Sequence, residues 1–428
     1  MKKHLIVASY DGISTHYCGV GTIIRNTVRS LLDFAPSENL KVSLAFVSTD
    51  PEGTVFNMEA FNDSINLVTR TGGHFIPLCN GTKGYDESDM WKSFPEWKSA
   101  SASLATSINI LLDTDEEAVV MLHDTPFLLF SKYKQQIFDR RIRAYYLPHS
   151  SGVNHAFGND IWREERIKIE NECFQLIEKD PNSRVLAEGV RFGAHLIKDY
   201  EIKLSEEDYL TNGLYFGQYK GSHERVFENN NAIRNLGIDI KDDSRIIFSW
   251  GRGSVAKGLK ELAEAWRRVA DQLPNHYLIV QAPNNSGEDE YCRILMEYSK
   301  TIPRTLVIDN FNPQIWQTVL RSKNTDIVSI PSLMDPNPHT AIEAKFFMTG
   351  MNYVVIGSKT DGVVDSYSAD EAFLIDPRNV EEFSKTILNA VHLSGSERKT
   401  MLKKNAESLP RYDYSKKLAG FLKRIELV

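Results

Sequence analysis

The sequence predicts an α/β protein built from two parallel-sheet domains. Three observations carry that expectation. Short β-branched runs alternate with longer amphipathic stretches from end to end, the pattern of successive βαβ units. The strand runs are apolar throughout rather than alternating, as in sheets covered on both faces. A chain of 428 residues also exceeds what one core organises, so two domains of about 200 residues are expected.

In chain order, the first half offers strands at LIVAS (5–9), VSLAFVS (42–48), AVVML (118–122), RAYYL (143–147) and RVLAE (184–188). The second half offers RIIFSW (245–250), HYLIVQ (276–281), TLVID (305–309), DIVSI (326–330) and YVVIG (353–357). Between them, helical spacing links Ile23, Val28, Leu31 and Leu32, and later Leu259, Leu262, Ala263, Trp266 and Val269. The domain break is placed in GQYKGSHE (217–224), a run of turn formers without periodicity. This gives a first domain over 1–218 and a second over 219–409. One stretch, Gly72 to Ser101, does not read as a βαβ unit. Its three aromatics, Trp91, Phe94 and Trp97, favour a folded excursion over a flexible linker.

Composition narrows the function classes. Charged residues at 25% and hydrophobic ones at 42% describe an ordinary globular protein. A formal charge of −7 argues against nucleic acid as a partner, because phosphate contacts need a basic face. No apolar run approaches the roughly 18 residues of a transmembrane helix. The apolar stretch near the start is shorter than the roughly 7–15 residues of a signal-peptide core, and reads as a first buried strand. Cys18, Cys79, Cys173 and Cys292 are scattered without a C-x-x-C pair. A reduced, cytoplasmic protein without structural zinc is expected. A homodimer is left open.

Four segments carry chemistry. GRGSVAKG (251–258) follows a predicted strand and opens a helix, where open α/β sheets bind ligands. Its Arg252 and Lys257 suit a diphosphate, Arg gripping oxygens bidentately and Lys acting as a point charge. PSLMDPNPHTAIEAKFFMTG (331–350) follows DIVSI, and Pro336 and Pro338 predict a helix starting near Pro338. Asp335 then lies in the loop before it and Glu343 on its second turn. The amides of Asn337, His339 and Thr340 form an anion site between the two carboxylates. A nucleotide sugar fits that layout, with Glu343 on ribose hydroxyls and Asp335 on sugar hydroxyls. The bland alternative is a capped surface helix with a solvated Glu343. In the first half, His123 and Asp124 end one strand and His149 ends the next, so both would face one crevice. HYCGVGTIIRN (16–26) places Gly19 and Gly21 before a helix. Asp113 and Asp115 form a D-x-D, but Leu104, Ile108, Leu111 and Leu112 step at helical period. The pair therefore reads as a solvated helix end rather than a metal site.

Together these segments resemble retaining, nucleotide-sugar-dependent glycosyltransferases of the GT-B fold, of the family-four type, over nearly the whole chain. GRGSVAKG resembles the family's Arg-x4-Lys diphosphate clamp, and 331–350 its P-S-x-x-E-x7-E-A-x-x-x-G signature. LTNGLYFGQY (210–219) is similar to the segment entering the hinge, and LPRYDYSKKLAGFLKRI (409–425) to the terminal helix that crosses back onto the first domain. Asp335 in place of the first glutamate, the His-Asp of VVMLHDTP and the strand-end His149 resemble trehalose-6-phosphate synthases and their pseudo-glycosyltransferase relatives. Gly19 and Gly21 resemble the N-terminal donor loop of that group. Two departures stand out. Pro-Asn-Pro replaces the group's Gly-Met-Asn after the aspartate, and ASYDGI lacks the Asn-Arg-Leu-Pro used near an acceptor phosphate.

The resemblance implies two Rossmann-like domains facing an interdomain crevice, acceptor in the first and nucleoside-diphosphate sugar in the second, with residues 410–428 packing back on the first. It implies transfer to a hydroxyl of a small polar acceptor with retention, without a metal or other cofactor. Arg252 and Lys257 would offset charge on the leaving diphosphate, Asp335 and His149 would meet the donor sugar, and His123 and Asp124 the acceptor. The alternatives are a pseudo-glycosyltransferase joining cyclitol units, a metal-dependent transferase using Asp113 and Asp115, and a non-catalytic sugar-nucleotide binder.

Overall fold

The computed structural model describes residues 3–428 except 16–17, 48–50, 53–55, 83–92, 113–115, 135–141, 156–159, 222–225, 242, 285–287, 311 and 361. The Asp113–Asp115 motif and Trp91 lie outside the described residues. The chain divides into two compact units, Met1–Phe216 with Asp413–Val428, and Gly217–Tyr412.

The first unit holds β1 (Lys3–Ser9), β2 (Leu40–Val47), β3 (Phe75–Leu78), β4 (Ala118–His123), β5 (Ile142–Leu147) and β6 (Ser183–Val185). They form one parallel sheet in the order β3-β2-β1-β4-β5-β6. Successive side chains of a strand point to opposite faces. In β1, Ile6 and Ala8 join a core with Trp97, Leu104, Phe127 and Phe174. Leu5 and Val7 join the other, with Ile24, Leu31 and Leu67. Two buried faces are why this run is apolar without alternation. The second core is completed by the helix Tyr414–Arg424, which contributes Tyr414, Leu418, Phe421 and Leu422.

The second unit holds β7 (Arg245–Trp250), β8 (His276–Gln281), β9 (Thr305–Ile308), β10 (Thr325–Ile330), β11 (Val354–Ser358) and β12 (Phe373–Ile375). Its parallel sheet has the order β12-β11-β10-β7-β8-β9. Read from β9, this is the same order as in the first unit, the doubly wound Rossmann arrangement. The winding reverses between β1 and β4 in one unit and between β7 and β10 in the other.

Two edge strands escape the sequence reading. The stretch from Gly72 to Ser101 does contain βαβ material, namely β3 and the start of the helix Phe94–Leu111. β3 is only four residues long and includes Pro77, tolerable because the strand pairs with β2 alone. β12 is three residues long and is likewise an edge. The aromatic cluster is packed as a folded excursion requires: Trp97 is buried, and Phe94 stacks on Trp162 at 5.6 Å.

Candidate functional site

In the second unit, the two loops singled out in the sequence leave β7 and β10, the strands flanking the reversal point. Gly251 N donates to Gln281 O at 3.0 Å and Gly253 N to Pro283 O at 3.0 Å, pinning GRGS onto the loop after β8. The Ala256 carbonyl then accepts from both Leu333 N (2.7 Å) and Met334 N (3.2 Å), joining the two loops. Gly258 makes this approach possible. Its φ is +62°, and a Cβ there would stand 1.9 Å from the Pro331 carbonyl oxygen.

This joining brings Lys257 and Asp335 into an ion pair, with only 18% and 12% of their side chains exposed. Gly362 N holds the Asp335 carbonyl at 3.0 Å. Arg252 is half-buried, and its guanidinium makes no hydrogen bond or ion pair among the described residues. The helix His339–Phe347 starts with Pro338 as its N-cap. Asp335 and Asn337 therefore precede it, and His339 and Thr340 open its first turn at the positive end of the helix dipole. Glu343, on the second turn, is not a solvated surface residue. It is buried, and the Trp250 indole N–H donates to its Oε2 at 3.3 Å. Burial pushes its carboxyl up to about 7, against smaller opposing effects of Trp250 and Lys257.

In the first unit, β4 and β5 bring His123 and His149 together. His149 Nδ1 lies 2.6 Å from Glu188 Oε2, and His149 Nε2 lies 3.1 Å from His123 Nδ1. Both His149 nitrogens are thus engaged inside the unit. Asn212 Nδ2 donates to Glu188 at 3.1 Å. Asp124 has φ +80°, a conformation that strains a residue with a Cβ and collects at functional sites. Its Oδ1 accepts from Thr125 N at 2.7 Å, while Oδ2 is buried without a hydrogen-bond partner among the described residues. Burial raises the Asp124 carboxyl above the usual range, opposed by His149 and Thr125.

Gly19 and Gly21 sit inside the helix Gly19–Phe34 rather than before it. Gly21 is explained by a neighbour: a Cβ there would lie 2.4 Å from Asp11 Oδ2. That oxygen accepts from Cys18 N at 2.9 Å, so a protein carboxylate occupies the helix N-terminus. Asp11, Glu188 and Trp250 are the residues missed in the sequence. Their one signal is position, at or just beyond the ends of β1, β6 and β7.

A second buried cluster has the order of a Ser–His–Asp triad: Ser151 Oγ to His195 Nε2 at 2.6 Å, and His195 Nδ1 to Asp199 Oδ2 at 2.5 Å. Ser151 is 1% exposed, and Asn154 N donates to its Oγ at 3.3 Å. The hydroxyl is therefore packed away rather than presented as a nucleophile. No group of three His, Cys, Asp or Glu among the described residues is arranged to hold a metal ion.

Residues 236–409, the bulk of the second unit, match the family of group 1 glycosyl transferases. That match covers less than half of the chain, and the two six-stranded parallel sheets are those of the GT-B fold. No curated protein matches the chain in sequence. Solved structures match it in fold across its length. The sucrose-phosphate synthase of Thermosynechococcus elongatus aligns with a TM-score of 0.69 at 14% identity, covering 99% of each chain. The α,α-trehalose 6-phosphate synthase of Burkholderia multivorans aligns at 0.67 and 13% identity, over 100% of this chain and 99% of its own. A trehalose-6-phosphate protein of E. coli bound with UDP-2-fluoro glucose aligns at 0.70 and 13% identity, over 99% of each. No helix among the described residues of this chain is long and apolar enough to cross a membrane.

Proposed function

We propose that this chain is a glycosyltransferase that moves a sugar from a nucleoside-diphosphate sugar to a hydroxyl of a small polar acceptor, a sugar, amino sugar or aminocyclitol, with retention of configuration. The observation that carries the donor assignment is the loop cluster at the β7–β10 reversal point, with an Arg252 that has no polar partner among the described residues, the Lys257–Asp335 pair and a buried Glu343. A donor diphosphate replaces Asp335 as the partner of Lys257, which frees Asp335 for the sugar hydroxyls. Arg252 closes on the same phosphate oxygens, and the amides of Asn337, His339 and Thr340 take the remainder. Glu343 accepts from the ribose hydroxyls.

In the reaction, the acceptor oxygen bonds the anomeric carbon on the face from which the diphosphate departs. The bond from that carbon to the diphosphate oxygen breaks, and a diphosphate oxygen takes the acceptor's proton. Arg252 and Lys257 offset the charge growing on the leaving group, a preorganised electrostatic role that cations fill without a metal.

The first unit supports an acceptor without phosphate. Asp11 fills the N-terminus of the helix Gly19–Phe34, and Asp124 presents a buried oxygen without a hydrogen-bond partner among the described residues. Two carboxylates repel a phosphate ester and suit neutral or cationic sugars. His123 and Asp124 are the groups that receive sugar hydroxyls there, while His149, expected from the sequence to meet the donor sugar, has both ring nitrogens occupied by Glu188 and His123.

The test is product analysis with a panel of nucleoside-diphosphate sugars, each offered with unphosphorylated, amino and phosphorylated acceptors, with and without EDTA. Retained glycosides of unphosphorylated acceptors, formed in EDTA, are the expected result. A nitrogen-linked product would favour the pseudo-glycosyltransferase reading. Loss of turnover restored by Mn²⁺ would favour a metal site at Asp113 and Asp115. Tight donor binding with no product from any pair would leave a sensor.

A further inference from the structure

Glu188, His149 and His123 form a hydrogen-bonded row beside the C-terminal ends of β4, β5 and β6. The two imidazole planes lie within 13° of parallel, with centroids 5.4 Å apart. The row ends at His123 Nε2, which is buried without a hydrogen-bond partner among the described residues. The neighbouring Asp124 Oδ2 is in the same condition.

Hydrogen-bond chemistry fixes the direction along this row. An ionised carboxylate only accepts, so His149 Nδ1 carries a hydrogen whether its ring is neutral or charged. When His149 is neutral, its Nε2 is a lone pair, and the 3.1 Å contact needs the hydrogen of His123 Nδ1. A neutral His123 then shows a lone pair at Nε2. When His149 is charged, its Nε2–H donates to His123 Nδ1, and His123 must carry its own hydrogen on Nε2. We infer that Glu188 and His149 are positioning residues that set whether His123 Nε2 accepts from, or donates to, a sugar hydroxyl bound in the first unit.

The surroundings keep the two rings distinct. Burial, with His149 adding to it, holds His123 neutral well below the usual imidazole range. Burial alone would lower His149 too, but Glu188 and then Asp124 outweigh it and leave it above that range. Other ionisable groups near the row are Asp11, Arg166 and Tyr10, which interact with Asp124, and Tyr414, which faces Glu188. Asn212 holds Glu188 from the opposite side. A hydroxyl can both donate and accept, so it satisfies Nε2 in either state. An ammonium group only donates and requires neutral His149, whereas a phosphate oxygen only accepts and requires the charged form. The row therefore also sorts ligands by pH.

The identity of the ligand rests on the transfer reaction proposed above, but the tautomers do not. The test uses the unliganded full chain with ¹⁵N-labelled histidine rings, followed by NMR through a pH titration. His123→Gln and His149→Gln identify the two rings. At high pH, His123 is expected as the Nδ1–H tautomer, the less common one for free imidazole. On acidification, His149 gains its second proton, and in the same step His123 changes to Nε2–H. In Glu188→Gln, the amide oxygen still accepts from Nδ1–H, but the charge is gone. The midpoint of the coupled step then falls by about one to three pH units. His123 remaining Nε2–H throughout, His149 titrating without a response at His123, or an unmoved midpoint in Glu188→Gln would each overturn the inference. The wild-type pattern decides the matter if Glu188→Gln fails to fold. Failure of the tautomer switch would leave the glycosyl-transfer reading untouched, and absence of transfer would leave the switch untouched.

Discussion

Replacing Glu343 with Gln separates the stability of the second unit from its affinity for nucleotide. The carboxyl titrates near 7 in the folded protein, against an ordinary 4.5. Below pH 4.5 it is protonated in both folded and unfolded chains and has no effect on their balance. As pH rises from 4.5 to about 7, the unfolded chain ionises while the folded one keeps its proton, and stability falls. The difference, about 7 less 4.5, is roughly 2.5 pH units, or about 3 kcal/mol at 1.36 kcal/mol per unit. Glu343→Gln keeps an oxygen for the Trp250 indole and removes the titration. The variant should therefore be more stable than wild type at pH 8 by up to about 3 kcal/mol, with the gap closing toward pH 4.5. Urea unfolding of both proteins at half-unit pH steps measures it. Nucleoside-diphosphate affinity should move the other way. Wild-type binding strengthens as pH rises through about 7, because ribose hydroxyls donate to the ionised form. Calorimetric titration of the variant should show weaker binding without that pH dependence. A stability gap that stays flat from pH 4.5 to 8 would refute the burial argument, because Glu343 would then be titrating like a solvated carboxylate.

Three further outcomes are expected. Arg252→Ala and Lys257→Ala should each weaken binding of free nucleoside diphosphate by about 1.5–3 kcal/mol, roughly ten- to a hundredfold, in calorimetry with circular dichroism unchanged. Asp335→Asn should leave free nucleotide affinity equal or tighter, because Lys257 no longer has to leave an ion pair, and mainly lower kcat, since Asp335 meets the sugar whose bond breaks; loss of nucleotide affinity instead would reverse the donor's orientation. Gly258→Ala, with its Cβ driven to 1.9 Å from the Pro331 carbonyl at φ +62°, should cost about 2–4 kcal/mol in urea unfolding and weaken diphosphate binding as the two loops part.

The central strands were legible because burial on both faces writes an unbroken apolar run, as in LIVAS or DIVSI. Edge strands carry no such mark. FIPL holds a proline and FLI is three residues long, so β3 and β12 emerge only from pairing with β2 and β11. The two loops after β7 and β10 were legible as loops because glycines, prolines and paired cations cluster within short segments. Their connection through Ala256 was not, since a backbone carbonyl has no sequence signature. Asp11 and Glu188 were missed for a related reason. Each acts on a partner remote in the chain or hidden at the start of a helix, and single acidic residues at strand ends are common. The glycine pair was read in the wrong place, because Gly21 accommodates Asp11 from within a helix rather than opening a loop.

The return of the chain to its first unit sets an order of assembly. The helix Gly19–Phe34 packs against Tyr414, Leu418, Phe421 and Leu422, which the ribosome makes nearly 400 residues later. At about 5–20 residues per second, that face waits for tens of seconds. During this interval, the second unit already has every residue it needs and can fold, while the first has a complete sheet and one uncovered apolar side. The unit begun first is thus the one finished last, and the nascent chain is most exposed to aggregation at its N-terminal helix. Lys417 makes the final closure a polar event as well. Its ammonium reaches the Thr211 hydroxyl at 2.7 Å and the Asn212 carbonyl at 2.6 Å, next to the Asn212 amide that holds Glu188. The backbone that positions the histidine row is therefore fastened only when synthesis of this helix is complete.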